Sequence, residues 1–478
     1  MKEKLIKSAK WNGLGRLVAM VGDFTFGIIL ARLLLPSDFG VIAILTVFVS
    51  FLSVFVNSGF SQALIREKEV STVDYSTVFY FNLSVAAIAF IISYFSAPII
   101  ANFYDNLEIS LYLRVLSITL FIDAFILVQN SILTKNMDFK RLSIISISAT
   151  IISGIIAICL AAFGFGIWSL VFKSLLRDLL VLIFTVSVVK WKPKKAFSID
   201  SFKKYFKYGI YMLGSSLITQ LYNNIFSLSV GKMFSPAILG YYNRAELFKN
   251  TLSQNIDSII TGVSYPALAQ IQDNKIEFVN YYKNILQFSF YIISILMTSL
   301  FFNADALIKV LLGVKWIDSI IILKYLCLIG LFFPINSITV NSISVTGRSK
   351  IYFKFQLISI AGSLLSLVVG YYYGMIPMIQ CFVIISFLLA LWITHLFDNL
   401  FDFSMFELIK LLKNSFYNIL LLTLVFYTTN IFIQNNYLKL TLNLVFGLSV
   451  LILLGSYKKH IEYNFIINQI IKVIRNNK

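Results

Sequence analysis

Lys173 and Arg177 stand four residues apart inside an apolar run, 167–189. On a helix that spacing places both on one face, where they cannot pair with each other but can meet a common partner. Phosphate oxygens suit such a pair, since arginine offers a planar fork and lysine a point charge. Asp178 lies about 100° around the same helix from Arg177. Asp23 and Asp123 fall near the middle of two other apolar runs. Two chemistries fit these five groups. They can form charge pairs within a bundle, Arg177 with Asp23 or Asp123. Or the cations receive an anionic substrate, with Asp23, Asp123 and Asp178 serving as coupling or charge-pairing acids.

Uncharged polar residues form a second constellation. Thr46, Ser50, Ser53, Asn57 and Ser61 fall within an arc of about 80° at 100° per residue. Glu246, Asn250, Gln254, Asp257, Thr261 and Ser264 make a similar stripe on a later run. Ser216, Gln220, Asn223 and Ser227 share a third face. Stripes of this kind are costly against lipid, so they face protein or water. Singly, each residue serves as well for an interhelical hydrogen bond. Together they lead us to expect a solvated cavity between two lobes.

The elements carrying these residues follow from composition. The chain has 478 residues, 58% hydrophobic and 13% charged, with mean hydropathy +0.84. Apolar runs of about 20 residues recur along it, enough to cross a ~30 Å hydrocarbon layer as helices. They lack the alternation of barrel strands. The expected fold is an all-α polytopic membrane protein with about 14 spans, at 11–35, 40–64, 76–100, 110–133, 142–163, 167–189, 207–231, 246–270, 279–302, 318–345, 352–373, 375–397, 415–433 and 438–456. With the N-terminus inside, 29 of the 40 Lys and Arg fall in inner segments and nine in outer turns or nearby helix ends. This bias places both termini in the cytoplasm. It also accounts for the net charge of +18 without nucleic acid. The first run is too long for a cleavable signal and is expected to stay as an anchor.

Ala31-Arg-Leu-Leu-Leu-Pro-Ser-Asp-Phe-Gly40 has an echo at Gly231-Lys-Met-Phe-Ser-Pro-Ala-Ile-Leu-Gly240. At the same offset Arg32 meets Lys232, Pro36 meets Pro236 and Asn57 meets Asp257. Six spans separate the copies, so the halves share one orientation, the parallel-repeat plan of some transporters. The domains expected are an N-terminal six-helix lobe (1–189), a cytoplasmic amphipathic linker (190–206), a C-terminal six-helix lobe (207–397), two extra spans (398–457) and a basic amphipathic tail (458–478). In the linker Ser198 is the expected N-cap. Ile199, Phe202 and Phe206 lie beneath Lys203, Lys204 and Lys207, as in a helix resting on the inner leaflet.

Cys159, Cys327 and Cys381 lie in apolar runs without metal spacing and read as small core residues. No Walker A, HExxH or GxSxG motif and no carboxylate-bearing long loop is present. The chain therefore reads as a secondary transporter rather than an enzyme, with no cofactor or metal.

Several of these stretches, with Gly59-Phe-Ser-Gln-Ala-Leu-Ile65, Leu239-Gly-Tyr-Tyr-Asn-Arg-Ala245, Tyr265-Pro-Ala-Leu-Ala-Gln-Ile-Gln272, Leu312-Gly-Val-Lys-Trp316 and Thr346-Gly-Arg348, resemble the polysaccharide-transporter (Wzx-type flippase) family over roughly residues 1–400. The resemblance implies the fold of the multidrug/oligosaccharidyl-lipid/polysaccharide exporter superfamily. It implies a multi-pass protein of the bacterial inner membrane that moves undecaprenyl-diphosphate-linked oligosaccharide outward by alternating access, for O-antigen, capsule or exopolysaccharide assembly. Its partners would be that lipid, the surrounding membrane lipids and a polysaccharide polymerase and glycosyltransferases. On that basis Arg177, Lys173, Arg32 and Lys249 are expected near the diphosphate, and Asn57, Asn250, Gln254 and Asp257 near the sugars. A cation-coupled drug or metabolite antiporter of the same superfamily, or a membrane polysaccharide polymerase or ligase, are the alternatives.

Overall fold

Each long apolar run becomes a helix because a backbone without water must satisfy its own hydrogen bonds. In the computed structural model, which describes residues 2–57 and 59–457, these helices are α1 (Lys2–Leu33), α2 (Pro36–Asn57), α3 (Phe60–Arg66), α4 (Thr72–Phe103), α5 (Glu108–Leu116), α6 (Thr119–Lys135), α7 (Phe139–Ala162), α8 (Trp168–Val189), α9 (Ile199–Met233), α10 (Pro236–Gln270), α11 (Lys275–Leu311), α12 (Asp318–Val345), α13 (Ser349–Tyr373), α14 (Met375–Phe401), α15 (Met405–Phe432) and α16 (Asn436–Tyr457). No strand occurs among the described residues. Ten helical stretches there are long and apolar enough to cross a membrane, which makes this a multi-pass membrane protein. α8 falls outside the ten, having three charges in its middle. So does α10, which carries the polar stripe. The basic tail, 458–478, lies outside the described residues.

The helix boundaries depart from expectation in several places, and four of these have a local cause. The second span is two helices. Gly59 sits between α2 and α3 in the left-handed region at φ +69°. A Cβ there would stand 2.6 Å from Cβ of Met212 and 3.1 Å from the Gly209 carbonyl oxygen on α9, so only glycine fits. The fourth span is also two helices. Around Ser117–Ile118 the backbone tightens to i→i−3 bonds, including Ile118 N to Val115 O and Phe121 N to Ile118 O. Ser117 Oγ meanwhile donates back to Leu113 O at 2.6 Å. α10 starts ten residues before the expected 246, because Pro236 suits the first turn of a helix, where no backbone N–H is needed. Finally, the amphipathic linker is no separate helix. Its Ser198 does cap as expected, accepting from Ser201 N at 3.2 Å, but α9 then runs unbroken to Met233.

The chain divides into two compact units, 1–240 and 241–478. In the first, α1 packs on α7, α7 on α8, and α6 on α4 and α8, while α2 meets α4, α6 and α9. This unit includes α9, which the repeat groups with the second half. The linker is stitched to the start of α4: Lys194 N donates to Ser76 Oγ (2.9 Å) and Ser198 N to Thr77 Oγ1 (3.0 Å). Trp191 stacks edge-on to Tyr75 and Phe79. Within the same unit the two copies of the repeated motif meet. A Cβ on Gly40 would stand 1.6 Å from the Pro236 carbonyl oxygen, and one on Gly240 1.9 Å from that of Pro36. The first turns of α2 and α10 thus cross backbone to backbone through a reciprocal pair of glycines.

In the second unit α12 packs on α11, α13 and α14, and α11 on α15 and α16. Phe278, Tyr282, Phe397 and Phe403 are buried at its aromatic core. Helices in both units begin with side-chain caps, among them Ser71, Asp138, Ser198, Asn274 and Ser404, each accepting from a backbone N–H in the first turn. Of the three cysteines, Cys327 is buried as expected. Cys159 is exposed instead, lying on an outward face of α7.

Candidate functional site

The intramembrane charges of the first unit come together. Asp23 of α1, Thr46, Ser50 and Ser53 of α2, Thr119 and Asp123 of α6, and Lys173, Ser174, Arg177 and Asp178 of α8 line one cavity of about 290 Å³. α8 reaches it with successive turns, because Lys173, Ser174, Arg177 and Asp178 follow the i, i+1, i+4, i+5 pattern of one helix face. α2 reaches it with Thr46, Ser50 and Ser53 of its polar stripe. Valine and leucine, at Val49 and Leu116, are the apolar members of the wall.

Most of these polar groups have a defined partner. Lys173 Nζ lies 3.3 Å from Asp23 Oδ1, so the pairing anticipated for Arg177 with Asp23 belongs to Lys173. Asp123 accepts from Ser53 Oγ at 2.8 Å, and Asn57 Nδ2 donates to that hydroxyl at 3.2 Å. Gln220 of α9 donates to Ser50. Ser61 exchanges a hydrogen bond with Ser131 at 2.8 Å. Arg177 is different. Its Nε–H is buried with no hydrogen-bond partner, and no carboxylate lies within ion-pair distance among the described residues. A buried guanidinium donor left unmatched is costly, and an entering acceptor removes that cost. The wall holds three carboxyls and two cations, so an entering anion meets cationic surroundings only as those carboxyls are neutralised.

The other expected site residues lie elsewhere. Arg32 is exposed in the last turn of α1, and Asn57 is exposed at the end of α2. Lys249, Asn250, Gln254 and Asp257 lie on α10 in the second unit. Lys249 is 8% exposed, with its aliphatic stem near Gly330 and Met297. Asn250 Oδ1 is buried without a partner, and Gln254 is exposed. Asp257 accepts from Ser337 Oγ of α12 at 2.6 Å. The side chain of Asn223 is outside the described residues. Sequence reasoning missed Thr119, Ser174 and Ser337. The first two were findable, as Thr119 stands one turn before Asp123 and Ser174 beside Lys173. Ser337 has no polar counterpart at the repeat offset, so nothing marked it.

Residues 29–321 match the family described as polysaccharide biosynthesis protein. The chain belongs to that family. Its similar proteins include the teichuronic acid biosynthesis protein TuaB of Bacillus subtilis (strain 168), 25% identical over 73% of each chain. The lipopolysaccharide biosynthesis protein WzxC of Escherichia coli (strain K12) is 23% identical over 75% of this chain and 73% of its own. The succinoglycan biosynthesis transport protein ExoT of Rhizobium meliloti (strain 1021) is 24% identical over 70% of this chain and 69% of its own. Among solved structures, the lipid II flippase MurJ in an inward closed conformation superposes with TM-score 0.73 at 17% identity, covering 95% of this chain and 99% of its own. An inward-facing multidrug-resistance transporter of the MOP superfamily gives 0.62 at 16% identity, over 81% and 96%. The polysaccharide biosynthesis chain described here therefore has the polytopic fold of MOP-superfamily transporters.

Proposed function

We propose that this chain is a flippase for polyprenyl-diphosphate-linked oligosaccharide in the bacterial inner membrane. A diphosphate-sugar head does not cross hydrocarbon unaided, because burying its charge unpaired is prohibitive. A route needs polar walls, fixed cations and exclusion of lipid from the head group. The single observation carrying this reading is Arg177: a guanidinium donor, buried and unmatched, in a cavity lined by hydroxyls and carboxyls. Membership of the family and the fold shared with a lipid flippase support it.

In this reading Arg177 takes the diphosphate, and Lys173 joins it when Asp23 is neutralised. Asp123 and Asp178 are the acids whose charge tunes the cavity for the incoming anion. Arg32 and Lys249 assist at the outer end, and Asn57, Asn250 and Gln254 receive sugar hydroxyls. The chain crosses the membrane 14 times with both termini cytoplasmic. The lobes are 1–189 and 207–397, joined through 190–206, with 398–457 as two added spans; they alternate access to the two leaflets. The partners are a polymerase and the glycosyltransferases that build the substrate, and the chain makes and breaks no covalent bond.

Cells lacking their own copy and carrying this chain will display surface polysaccharide. Arg177→Ala at matched expression will abolish most of it, whereas an undiminished display would remove Arg177 from the mechanism. One observation favours a second reading, cation-coupled antiport: carboxyls outnumber cations in the cavity wall. Drug efflux driven by an ion gradient in vesicles holding only this chain would select it.

A further inference from the structure

The second unit holds a carboxyl that the substrate cavity does not use. Asp257, midway along α10, is 5% exposed. Its Oδ2 accepts from Ser337 Oγ of α12 at 2.6 Å, while its Oδ1 is buried with no partner. Among the described residues no Lys, Arg or His lies within ion-pair distance of it. On α12 the Ser337 hydroxyl is the group hydrogen-bonded to it. The nearest charges on α10 itself, Lys249 and Glu246, are eight and eleven residues back, roughly 12 Å and 16 Å along the helix. On α12 the titratable Lys324, Tyr325 and Cys327 stand ten or more residues from Ser337, about 15 Å or further. One turn beyond Asp257, Ile260 packs into the apolar cluster of Ile335 and Ile338, with Phe332 beside it.

An ionised carboxylate in such surroundings lacks a countercharge, and a single hydroxyl does not replace one. It needs a positive partner that can reach it. The geometry limits what that partner is. A metal cation asks for several oxygens around it, and among the described residues no group of three or more His, Cys, Asp or Glu side chains surrounds this carboxyl. A proton asks for one acceptor atom, and Oδ1 is that atom.

We propose that Asp257 is a proton-carrying site in the second unit, loaded from water at Oδ1 and held in register by the Ser337 hydrogen bond at Oδ2. Loading converts the carboxylate and one proton into a neutral carboxyl; no other bond changes. Ser337 is a positioning residue. The site can be tested without substrate; only its role in driving transport rests on the flippase reading.

Infrared difference spectra of the purified full chain in lipid, recorded across a pH titration, will show a protonated-carboxyl C=O band that Asp257→Asn removes and Ser337→Ala shifts. Sodium at constant pH will leave the band unchanged. In proteoliposomes with a pH gradient, the ratio of lipid translocation with and without the gradient will be smaller in Asp257→Asn than in wild type, whatever the absolute rate. A spectrum that Asp257→Asn does not alter overturns the proposal. So does a band displaced by sodium, which would identify a metal cation. So does a gradient ratio in Asp257→Asn equal to that of wild type. If the wild-type chain translocates no lipid but the band behaves as described, the flippase reading fails and the proton site stands.

Discussion

The five charged side chains of the first cavity are not equivalent. Lys173 has Asp23, Asp123 has Ser53 and through it Asn57, and Arg177 has an unmatched Nε–H. Loss of a charge-assisted hydrogen bond costs about 1.5–3 kcal/mol, so Arg177→Ala will slow translocation roughly 10- to 100-fold. Arg177→Lys will fall between the two, because lysine keeps the charge but not the fork. The Lys173–Asp23 pair predicts a stability effect. Asp23→Asn alone takes the carboxylate away from a largely buried ammonium, and will lower the thermal midpoint in detergent. The double variant Asp23→Asn/Lys173→Gln will recover part of the loss, since replacing both members of a pair is milder than replacing one. The five members of this cavity were legible in the sequence, because charges inside apolar runs stand out. Their pairing was not. Which carboxyl meets which cation depends on helix rotation about three axes, and periodicity gives the face of each helix but not what it faces.

At the scale of elements, the repeated glycines carry the sharpest demand. Gly40 and Gly240 let the first turns of α2 and α10 touch backbone to backbone. An added methyl group at either must push two helices apart, an overpacking cost of about 1–3 kcal/mol. Gly40→Ala and Gly240→Ala will each lower the thermal midpoint. Gly262→Ala, on the same helix α10 with nothing within 4 Å of its Cβ position, will be neutral or will stabilise by about 0.5–1 kcal/mol. The motif was visible as a repeat; that its two copies touch was not, as an offset in sequence carries no distance. The same holds for the broken spans. Gly59 is an ordinary glycine in the sequence; its left-handed backbone and the closeness of Gly209 and Met212 are tertiary facts that mark the break between α2 and α3. Long apolar segments were readable because lipid leaves the backbone no choice but helix. Their breaks arise from tertiary contacts, which hydropathy does not record.

For the whole molecule, the charge bias of the loops predicts sidedness. With Cys159, Cys327 and Cys381 replaced by serine or alanine, a cysteine at Leu107, between α4 and α5, will react with an impermeant maleimide on intact cells. A cysteine at Lys194, between α8 and α9, will react only after the membrane is opened. The opposite pattern would invert the proposed orientation. The central claim concerns the lipid itself. The direct measurement is translocation of a polyprenyl-diphosphate-linked oligosaccharide across proteoliposomes containing only this chain, followed by an impermeant sugar-modifying reagent. The account predicts that the protected pool becomes accessible with wild type and does so at least about tenfold more slowly with Arg177→Ala. A protected pool as stable as in protein-free liposomes, or an Arg177→Ala rate equal to wild type, would contradict it.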